Sequence, residues 1–289
     1  MTARPVVAGI AISHPERALW PDDGITKIEL ARYYGAIAEW IVPHVRRRPL
    51  TLLRCEGSID DCKFLRHGRA WGPSALERVN IREKHKVGEY LVANDRAGVI
   101  ALAQLDIVEI HTWNSTADDV EHPDRLVVDL DPGDGVAWRD VVAAARRVRA
   151  ALHALGLPAW VKTTGGAGLH VVVPLRPAAD WSRCLEVARQ FCAALARAEP
   201  ARFTTLVGKQ HRRGKIYLDY LRNNRTNTSV CAFSTRARPG APVSMPLSWS
   251  SLGRVDPRAF TLRTVPKLLA RRRRDPWASY FTSGAILPS

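Results

Sequence analysis

Apolar side chains recur at helical spacing in three stretches of the chain. Residues 27–42 contain the first, and the capping-box pattern that starts at Thr26 predicts that a helix begins here and that Pro43 ends it. Residues 137–155 contain the second, followed by glycine and proline as a stop signal. Ser182 is predicted to cap the third helix, which runs to about residue 198.

Short apolar runs between these helices predict β-strands. They are LVVDLD at 126–131, AWVKTT at 159–164, LHVVVPL at 169–175 and KIYLDYL at 215–221. A further run, GVIALAQLDIVEIHTW at 98–113, predicts sheet structure whose first half also fits a short helix. The mixed order of elements predicts an α+β fold with a mixed or antiparallel central sheet and flanking helices. Because no repeat or linker interrupts the chain, we expect a single domain over residues 1–289.

Two aspartates near the end of the first predicted strand share one of its faces. Side chains two positions apart in a strand point to the same side, so Asp129 and Asp131 project together. Two carboxylates in that position repel each other unless cations lie between them, and Mg²⁺ and Mn²⁺ prefer such oxygen ligands. Asp219 offers a similar carboxylate on a second strand, so we predict that it is the third ligand of a two-ion site. The alternative is a plain strand end, where aspartate favours turns and helix caps.

A glycine-rich segment, residues 163–170, joins two of the predicted strands. The backbone amides of Gly165 and Gly166 can approach a triphosphate closely there, with the hydroxyl of Thr164 and the ring of His170 as side-chain donors. A dinucleotide fold needs GxGxxG at the start of a helix, whereas a β-branched strand follows here, and this argues against dinucleotide binding. A hairpin turn explains the glycines equally well.

The balance of charges indicates the kind of partner. With 43 Lys plus Arg against 28 Asp plus Glu, the chain carries a formal net charge of +15, spread along its length. Such a field attracts polyanions and indicates nucleic acid, although a GC-rich genome that encodes arginine would give the same composition. No apolar run is long enough for a membrane span, and the first residues lack a secretory signal. We therefore expect no membrane partner and a cytoplasmic, nucleoid-associated protein.

The five cysteines form no CxxC pair, are odd in number and are sparse for a chain of 289 residues. We therefore expect reduced thiols rather than a disulfide framework. Cys55, Cys62, His67 and His85 offer ligands for a zinc site, but their irregular spacing makes this the weaker alternative.

Several of these segments occur together, and in the same order, in one known family. A resemblance to the polymerase domain of bacterial ligase D is carried by DLDPGDG, TTGGAGLHVVVPL, KIYLDYLRNNR and CAFSTRARPGAPVSMPLSW. That domain belongs to the archaeo-eukaryotic primase superfamily and works in non-homologous end joining. The likeness runs from ISHPERALWP near residue 12 to DPWASYF near residue 275. It implies a primase-type fold, with DNA-end and template contacts in residues 1–95 and a catalytic core in residues 96–289, in a stand-alone protein or a part of a larger ligase.

The resemblance also implies a role for individual residues. Asp129 and Asp131 would bind both divalent ions, and Asp219 would bind the ion that activates the 3′-hydroxyl of the primer. Contacts to the incoming nucleotide are implied for His111, Thr164, Gly165, Gly166, His170, Arg222 and Arg236. Contacts to DNA, including a 5′-phosphate and the template base, are implied for Arg17, Lys27, Arg54, Phe64 and Arg212.

Some of these residues also have plainer interpretations. Without the resemblance, Lys27 is interpreted as a solvated lysine, Phe64 as core and His111 as a hydrogen-bonded sheet histidine.

The activity implied by the resemblance is templated or terminal addition of ribo- or deoxynucleotides, with ribonucleotides preferred and manganese or magnesium required. The site of action would be a DNA break or gap with a 5′-phosphate, in company with Ku and a DNA ligase. Two alternatives stay open: a metal-dependent nuclease or phosphohydrolase, and a catalytically weak module that binds DNA ends.

The chain departs from the family pattern at a few positions. Thr164 replaces a common serine, Ala167 replaces a common lysine, and a basic residue expected near Asn227 is absent, so weaker binding of triphosphate is expected. Lys63 stands where a second aromatic is usual, so weaker template stacking is expected.

Overall fold

The computed structural model describes residues 4–67 and 73–288, and within them the chain forms six α-helices. They are α1 (Lys27–Ala36), α2 (Ala38–Val45), α3 (Arg96–Gln104), α4 (Trp138–Ala154), α5 (Trp181–Ala198) and α6 (Val265–Ala270). Within the same residues, no helix has the length and apolar character needed to cross a membrane.

The same described residues also form sixteen β-strands. They are β1 (Val6–Val7), β2 (Ile10–Ala11), β3 (Ala18–Trp20), β4 (Ile25–Thr26), β5 (Leu50–Cys55), β6 (Cys62–Leu65), β7 (Glu77–Arg82), β8 (Val87–Val92), β9 (Ile107–Thr112), β10 (Arg125–Pro132), β11 (Trp160–Thr163), β12 (Leu169–Pro174), β13 (Phe203–Thr204), β14 (Ile216–Asp219), β15 (Ser229–Val230) and β16 (Pro246–Leu247).

The described residues divide into two compact units. The first unit contains the residues up to Asp118 together with Val230–Ser244 and Arg258–Arg272. The second contains Asp119–Ser229, Met245–Pro257 and the residues from Arg273 onward.

The second unit is built on a six-stranded sheet with the order β13-β14-β10-β12-β11-β16. Neighbouring strands run antiparallel except for the parallel pair β13 and β14. The central strands β10 and β12 are buried along nearly their whole length, which explains their continuous runs of valine and leucine. Helices α4 and α5 pack against β10 with their apolar stripes. The predicted α+β class, with a mixed sheet and flanking helices, is therefore confirmed.

The first unit has a sheet with the order β15-β9-β5-β6, and the boundary between the units falls within β15. Helix α3 packs against α1 and β9. Strands β5 and β9 are almost entirely buried, whereas the edge strand β6 has no buried residue. Side chains on β6 are therefore available to a partner.

The helix predicted over residues 27–42 is in fact two helices. It begins as predicted, because the backbone N–H of Thr26 donates to the carboxylate of Glu29 at 3.0 Å in a capping box. The chain leaves helical geometry at Ile37, where α1 ends. Pro43 does not end a helix but lies inside the short helix α2, from which it removes a single backbone donor.

The third predicted helix exists, but Ser182 is not its cap. The side chain of Asp180 accepts a hydrogen bond from the backbone N–H of Arg183 at 2.8 Å, so the helix begins two residues earlier than predicted, at Trp181. The segment 98–113 contains part of α3 followed by β9, which confirms the short-helix interpretation of its first half.

One pair of cysteines corrects the expectation of reduced thiols. Cys55 and Cys62 are cross-strand partners in the β5–β6 hairpin and form a disulfide, with their Cα atoms 4.1 Å apart. Hairpin register brings these residues together, and register is not visible as a spacing motif. Both thiols of the zinc alternative are therefore engaged with each other.

Candidate active site

Four polar residues form a row across the six-stranded sheet. Asp129 on β10 has Asp219 on β14 as its partner on one side and His170 on β12 on the other, and Lys162 on β11 is the next partner of His170. Directly paired residues of antiparallel strands point to the same face of the sheet. Asp129, His170 and Lys162 are all buried, and buried charges are costly unless they are paired. Such a row indicates a functional site.

The guanidinium of Arg222 contacts both aspartates of this row. Its Nε lies 3.1 Å from Oδ2 of Asp129 and 3.2 Å from Oδ2 of Asp219. Asp219 also accepts a hydrogen bond from the backbone N–H of Leu221 at 2.9 Å. The two carboxylates therefore share one positively charged partner.

The two carboxyl groups have pKa values shifted in opposite directions. Burial by itself would raise the pKa of Asp129, but attraction by His170 and Arg222 holds the pKa of that carboxyl well below its usual range. The pKa of Asp219 is raised, because burial together with the negative charge of Asp129 outweighs the attraction of Arg222. Repulsion between the carboxylates is therefore only partly relieved.

Asp131 lies on the same strand face, but its carboxylate has a different partner. Nη1 of Arg212 is 2.6 Å from Oδ2 of Asp131, and the same guanidinium lies 3.9 Å from the ring centroid of Tyr217. The side chain of Asp131 is 53% exposed, against 10% for Asp129. In the part of the chain that the structure describes, no three His, Cys, Asp or Glu residues are grouped as a metal site. The structure thus brings Asp129 and Asp219 together and leaves the carboxylate of Asp131 with Arg212.

The chemistry of these side chains fits a divalent cation. Carboxylate oxygens are the ligands that Mg²⁺ and Mn²⁺ prefer. Asp129 and Asp219 lie opposite each other with their repulsion only partly relieved, and Asp131 adds a third carboxylate on the same face. A cation at this face would therefore be stabilised by the residues present.

His170 is a buried histidine beside the paired aspartates. Its Nε2 lies 3.4 Å from Oδ1 of Asp129, and its Nδ1 is buried without a hydrogen-bond partner among the described residues. Burial and the positive charge of Lys162 lower the pKa of His170 to about 4, despite the opposing effect of Asp129. The ring is therefore neutral at pH 7. Buried polar atoms are rarely left without a partner, so Nδ1 is a candidate for a hydrogen bond to a ligand atom.

The lowered pKa of His170 predicts a loss of stability in mild acid. Only the unfolded chain takes up a proton at this histidine as the pH falls from 6.5 towards 4, so the free energy of unfolding decreases over that window. Between pH 7 and pH 4.5 the loss from this group is about 2–3 kcal/mol. Urea unfolding in chelating buffer at both pH values measures it. The variant His170→Gln should lose correspondingly less, and an equal loss in both proteins would contradict the assignment.

The glycine-rich turn is held together by the side chain of Thr164. Its hydroxyl donates to the carbonyl of Gly168 at 3.2 Å and accepts from the N–H of Gly166 at 3.2 Å, while Gly165 adopts a positive φ of 70°. Gly168 also passes close to β10, because a Cβ at this position would lie 2.4 Å from the carbonyl oxygen of Leu130. Local contacts therefore fix the shape of the turn that was predicted to bind a triphosphate.

Two predicted nucleotide contacts, His111 and Arg236, lie in the first unit and share a partner. Nε2 of His111 is 2.8 Å from Oε2 of Glu109, and Nε of Arg236 is 3.0 Å from the same oxygen. No role was predicted from the sequence for Glu109 or for Lys162. Each is a charged residue inside an otherwise apolar strand, and that is the signal that could have identified them.

Two predicted contacts for a 5′-phosphate are already paired with an acid. Arg17 and Lys27 lie 2.8 Å and 2.9 Å from the two carboxylate oxygens of Asp106. Lys27 is buried, not solvated as its plainer interpretation held, and burial lowers the pKa of its ammonium although Asp106 opposes the shift.

The other predicted DNA contacts of the first unit lie on β5 and β6. Arg54 donates from Nε to the carbonyl of Leu105 at 3.1 Å. Phe64 is 60% exposed, so it does not belong to the core, and its ring lies edge-on to that of His111 with 5.5 Å between centroids. An exposed aromatic ring of this kind is suited to stacking on a base.

Comparison with known proteins places these features in a family context. The family described as LigD, primase-polymerase domain, matches residues 26–277. The multifunctional non-homologous end joining protein LigD of Pseudomonas aeruginosa is 34% identical over 281 residues, which cover 96% of the chain and 34% of that protein. LigD of Mycolicibacterium smegmatis is 33% identical over 257 residues, which cover 88% of the chain and 34% of that protein. The chain therefore spans about a third of the length of these relatives.

Solved structures give a matching result. The polymerase domain from Mycobacterium tuberculosis ligase D, solved in complex with DNA, aligns with a TM-score of 0.84 at 27% sequence identity. The alignment covers 91% of this chain and 94% of that chain, so the likeness extends over the whole fold.

Proposed function

The chain belongs to the LigD primase-polymerase domain family, and on this basis we propose that it is a DNA-directed nucleotidyltransferase that adds nucleotides to 3′-ends at DNA breaks or gaps. The observation that carries the proposal is the pairing of Asp129 with Asp219 on neighbouring strands, with Arg222 in contact with both. Two close carboxylates beside a cationic side chain suit a reaction in which a triphosphate and a divalent cation meet.

Different side chains have different roles in an in-line nucleotidyl transfer. The 3′-hydroxyl attacks the α-phosphorus, the bond to the bridging oxygen breaks, and pyrophosphate leaves. Asp129, Asp131 and Asp219 would hold Mg²⁺ or Mn²⁺, which when bound neutralises phosphate charge and eases loss of the hydroxyl proton. Arg222 binds and orients phosphate oxygens, and His170, neutral and with Nδ1 without a protein partner, hydrogen-bonds to the nucleotide.

The proposal extends to the substrate. Phosphate recognition at a 5′-end is assigned to Arg17 and Lys27, and template stacking to Phe64, which is supported by its 60% exposed ring. A preference for ribonucleotides, action beside Ku and a DNA ligase in end joining, and a cytoplasmic location on the nucleoid complete the proposal. Its support here is that the relatives are named for non-homologous end joining and that a related polymerase domain was solved with DNA.

A gapped duplex with a 5′-phosphate tests the proposal directly. Each ribo- and deoxynucleoside triphosphate is supplied separately with Mg²⁺ or Mn²⁺, and extension is read on a denaturing gel. Extension that requires both metal and triphosphate is expected, and it should weaken when the 5′-phosphate is omitted. Loss of DNA without added triphosphate would instead indicate a nuclease or phosphohydrolase. Tight binding to the gap without extension would indicate a module that binds DNA ends.

A further inference from the structure

Glu109 is the common partner of two residues on separate segments of the first unit. It lies on β9, and its side chain is 5% exposed. Oε2 is 2.8 Å from Nε2 of His111 and 3.0 Å from Nε of Arg236, while Oε1 accepts a hydrogen bond from the backbone N–H of Ala237 at 2.9 Å. One carboxylate therefore fixes a histidine ring, a guanidinium and the backbone beside that guanidinium.

The carboxylate is charged in this environment. Burial by itself would raise the pKa of Glu109, but His111 and Arg236 lower it to about 2. A carboxylate only accepts hydrogen bonds, so Nε2 of His111 carries a hydrogen and the orientation of the ring follows. Removal of the charge would take away the carboxylate that pairs with the partly buried guanidinium of Arg236.

We propose that Glu109 is a positioning residue that holds His111 and Arg236 in a single arrangement for the phosphates of the incoming nucleotide. The inference rests on the proposed function and on the contacts to the incoming nucleotide that the family resemblance implies for His111 and Arg236. The ring of His111 also packs edge-on against exposed Phe64, the aromatic to which the proposed function assigns template stacking. Glu109 itself touches no reacting atom.

The substitution Glu109→Gln tests this role while keeping the size of the side chain. The KM for the nucleoside triphosphate is expected to rise about tenfold or more, because His111 and Arg236 lose the charged partner that orients them towards the nucleotide. The change in kcat should be much smaller, and the affinity for gapped DNA should not change. Glu109→Asp keeps the charge at a shorter reach and should restore part of the loss.

A second carboxylate–histidine pair in the same unit provides the matched control. Oε1 of Glu83 lies 2.5 Å from Nε2 of His67 and accepts from the hydroxyl of Tyr90 at 2.7 Å, with the Glu83 side chain 18% exposed. Glu83→Gln should leave the KM for nucleotide unchanged even if it lowers the melting temperature. An equal KM change in both variants would overturn the proposal.

Two further readouts separate positioning from support of the fold. If Glu109 acts through Arg236, then Glu109→Gln should raise KM less in an Arg236→Ala background than in the parent, because the two effects are not independent. Additive effects, or a lower melting temperature and kcat with KM unchanged, would overturn the proposal. The parent protein is assayed first: absence of extension there would defeat the proposed function itself, whereas parental extension with an unaltered KM in Glu109→Gln would defeat only this inference.

Discussion

Asp129→Ala is expected to abolish nucleotide addition, reducing the single-turnover rate by about 1000-fold or more. Asp129 is the centre of the polar row, since it has Asp219 and His170 as strand partners and Arg222 as its ion-pair partner. Its removal takes away one of two close carboxylates, so the face would no longer hold a divalent cation that offsets the negative charge of the triphosphate. Affinity for gapped DNA should be unchanged or slightly higher, because one negative charge is lost.

Extension gels and fluorescence anisotropy with a labelled gapped duplex measure the two quantities. Asp129→Asn keeps the shape of the side chain, so a loss of activity in this variant is not explained by a cavity that disturbs folding. Asp140→Ala removes a half-exposed acid from the first turn of α4 in the same unit and should extend normally. Parental extension by either Asp129 variant would remove the catalytic assignment.

Gly168→Ala should destabilise the second unit and impair activity at the same time. A Cβ at residue 168 would lie 2.4 Å from the carbonyl oxygen of Leu130 and 3.5 Å from Cδ of Pro132. Leu130 stands between Asp129 and Asp131 in a buried central strand, so its carbonyl cannot move without shifting both acids. The expected loss of unfolding free energy is about 1–3 kcal/mol, typical of overpacking.

Urea unfolding gives the stability change, and extension below the melting transition gives the activity of the folded fraction. Gly57→Ala is a suitable control, because nothing lies within 4 Å of a Cβ at that position. If Gly168→Ala were as stable and as active as Gly57→Ala, the close approach of the turn to β10 would be wrong.

Periodicity made much of the second unit predictable. Continuous runs of valine and leucine identified β10 and β12, and the two-residue repeat of a strand placed Asp129 and Asp131 on one face. The primase-type fold, inferred from ordered motifs, is confirmed by the matches to the LigD domain family and to a LigD polymerase structure. The assigned roles of individual residues remain predictions.

Contacts that depend on register or on tertiary pairing were not predictable. Cys55 and Cys62 have no motif spacing, and only the hairpin register makes them partners. The role of Glu109 depends on its ion pair with Arg236, which lies far along the chain and meets it only in the folded structure. Competition between neighbouring residues explains one further error: Asp180 rather than Ser182 provides the cap of α5, although both are favourable cap residues.

Arg222 acts as a tethered counter-ion, and this has a consequence for the order in which ligands are taken up. Because its Nε lies within 3.2 Å of both Asp129 and Asp219, a free divalent ion entering alone must compete with a positive charge that cannot diffuse away. A phosphate that draws the guanidinium into its own ion pair relieves that competition. We therefore expect nucleotide and cation to be thermodynamically coupled, each strengthening the binding of the other, and the nucleotide-free protein to bind the ion weakly.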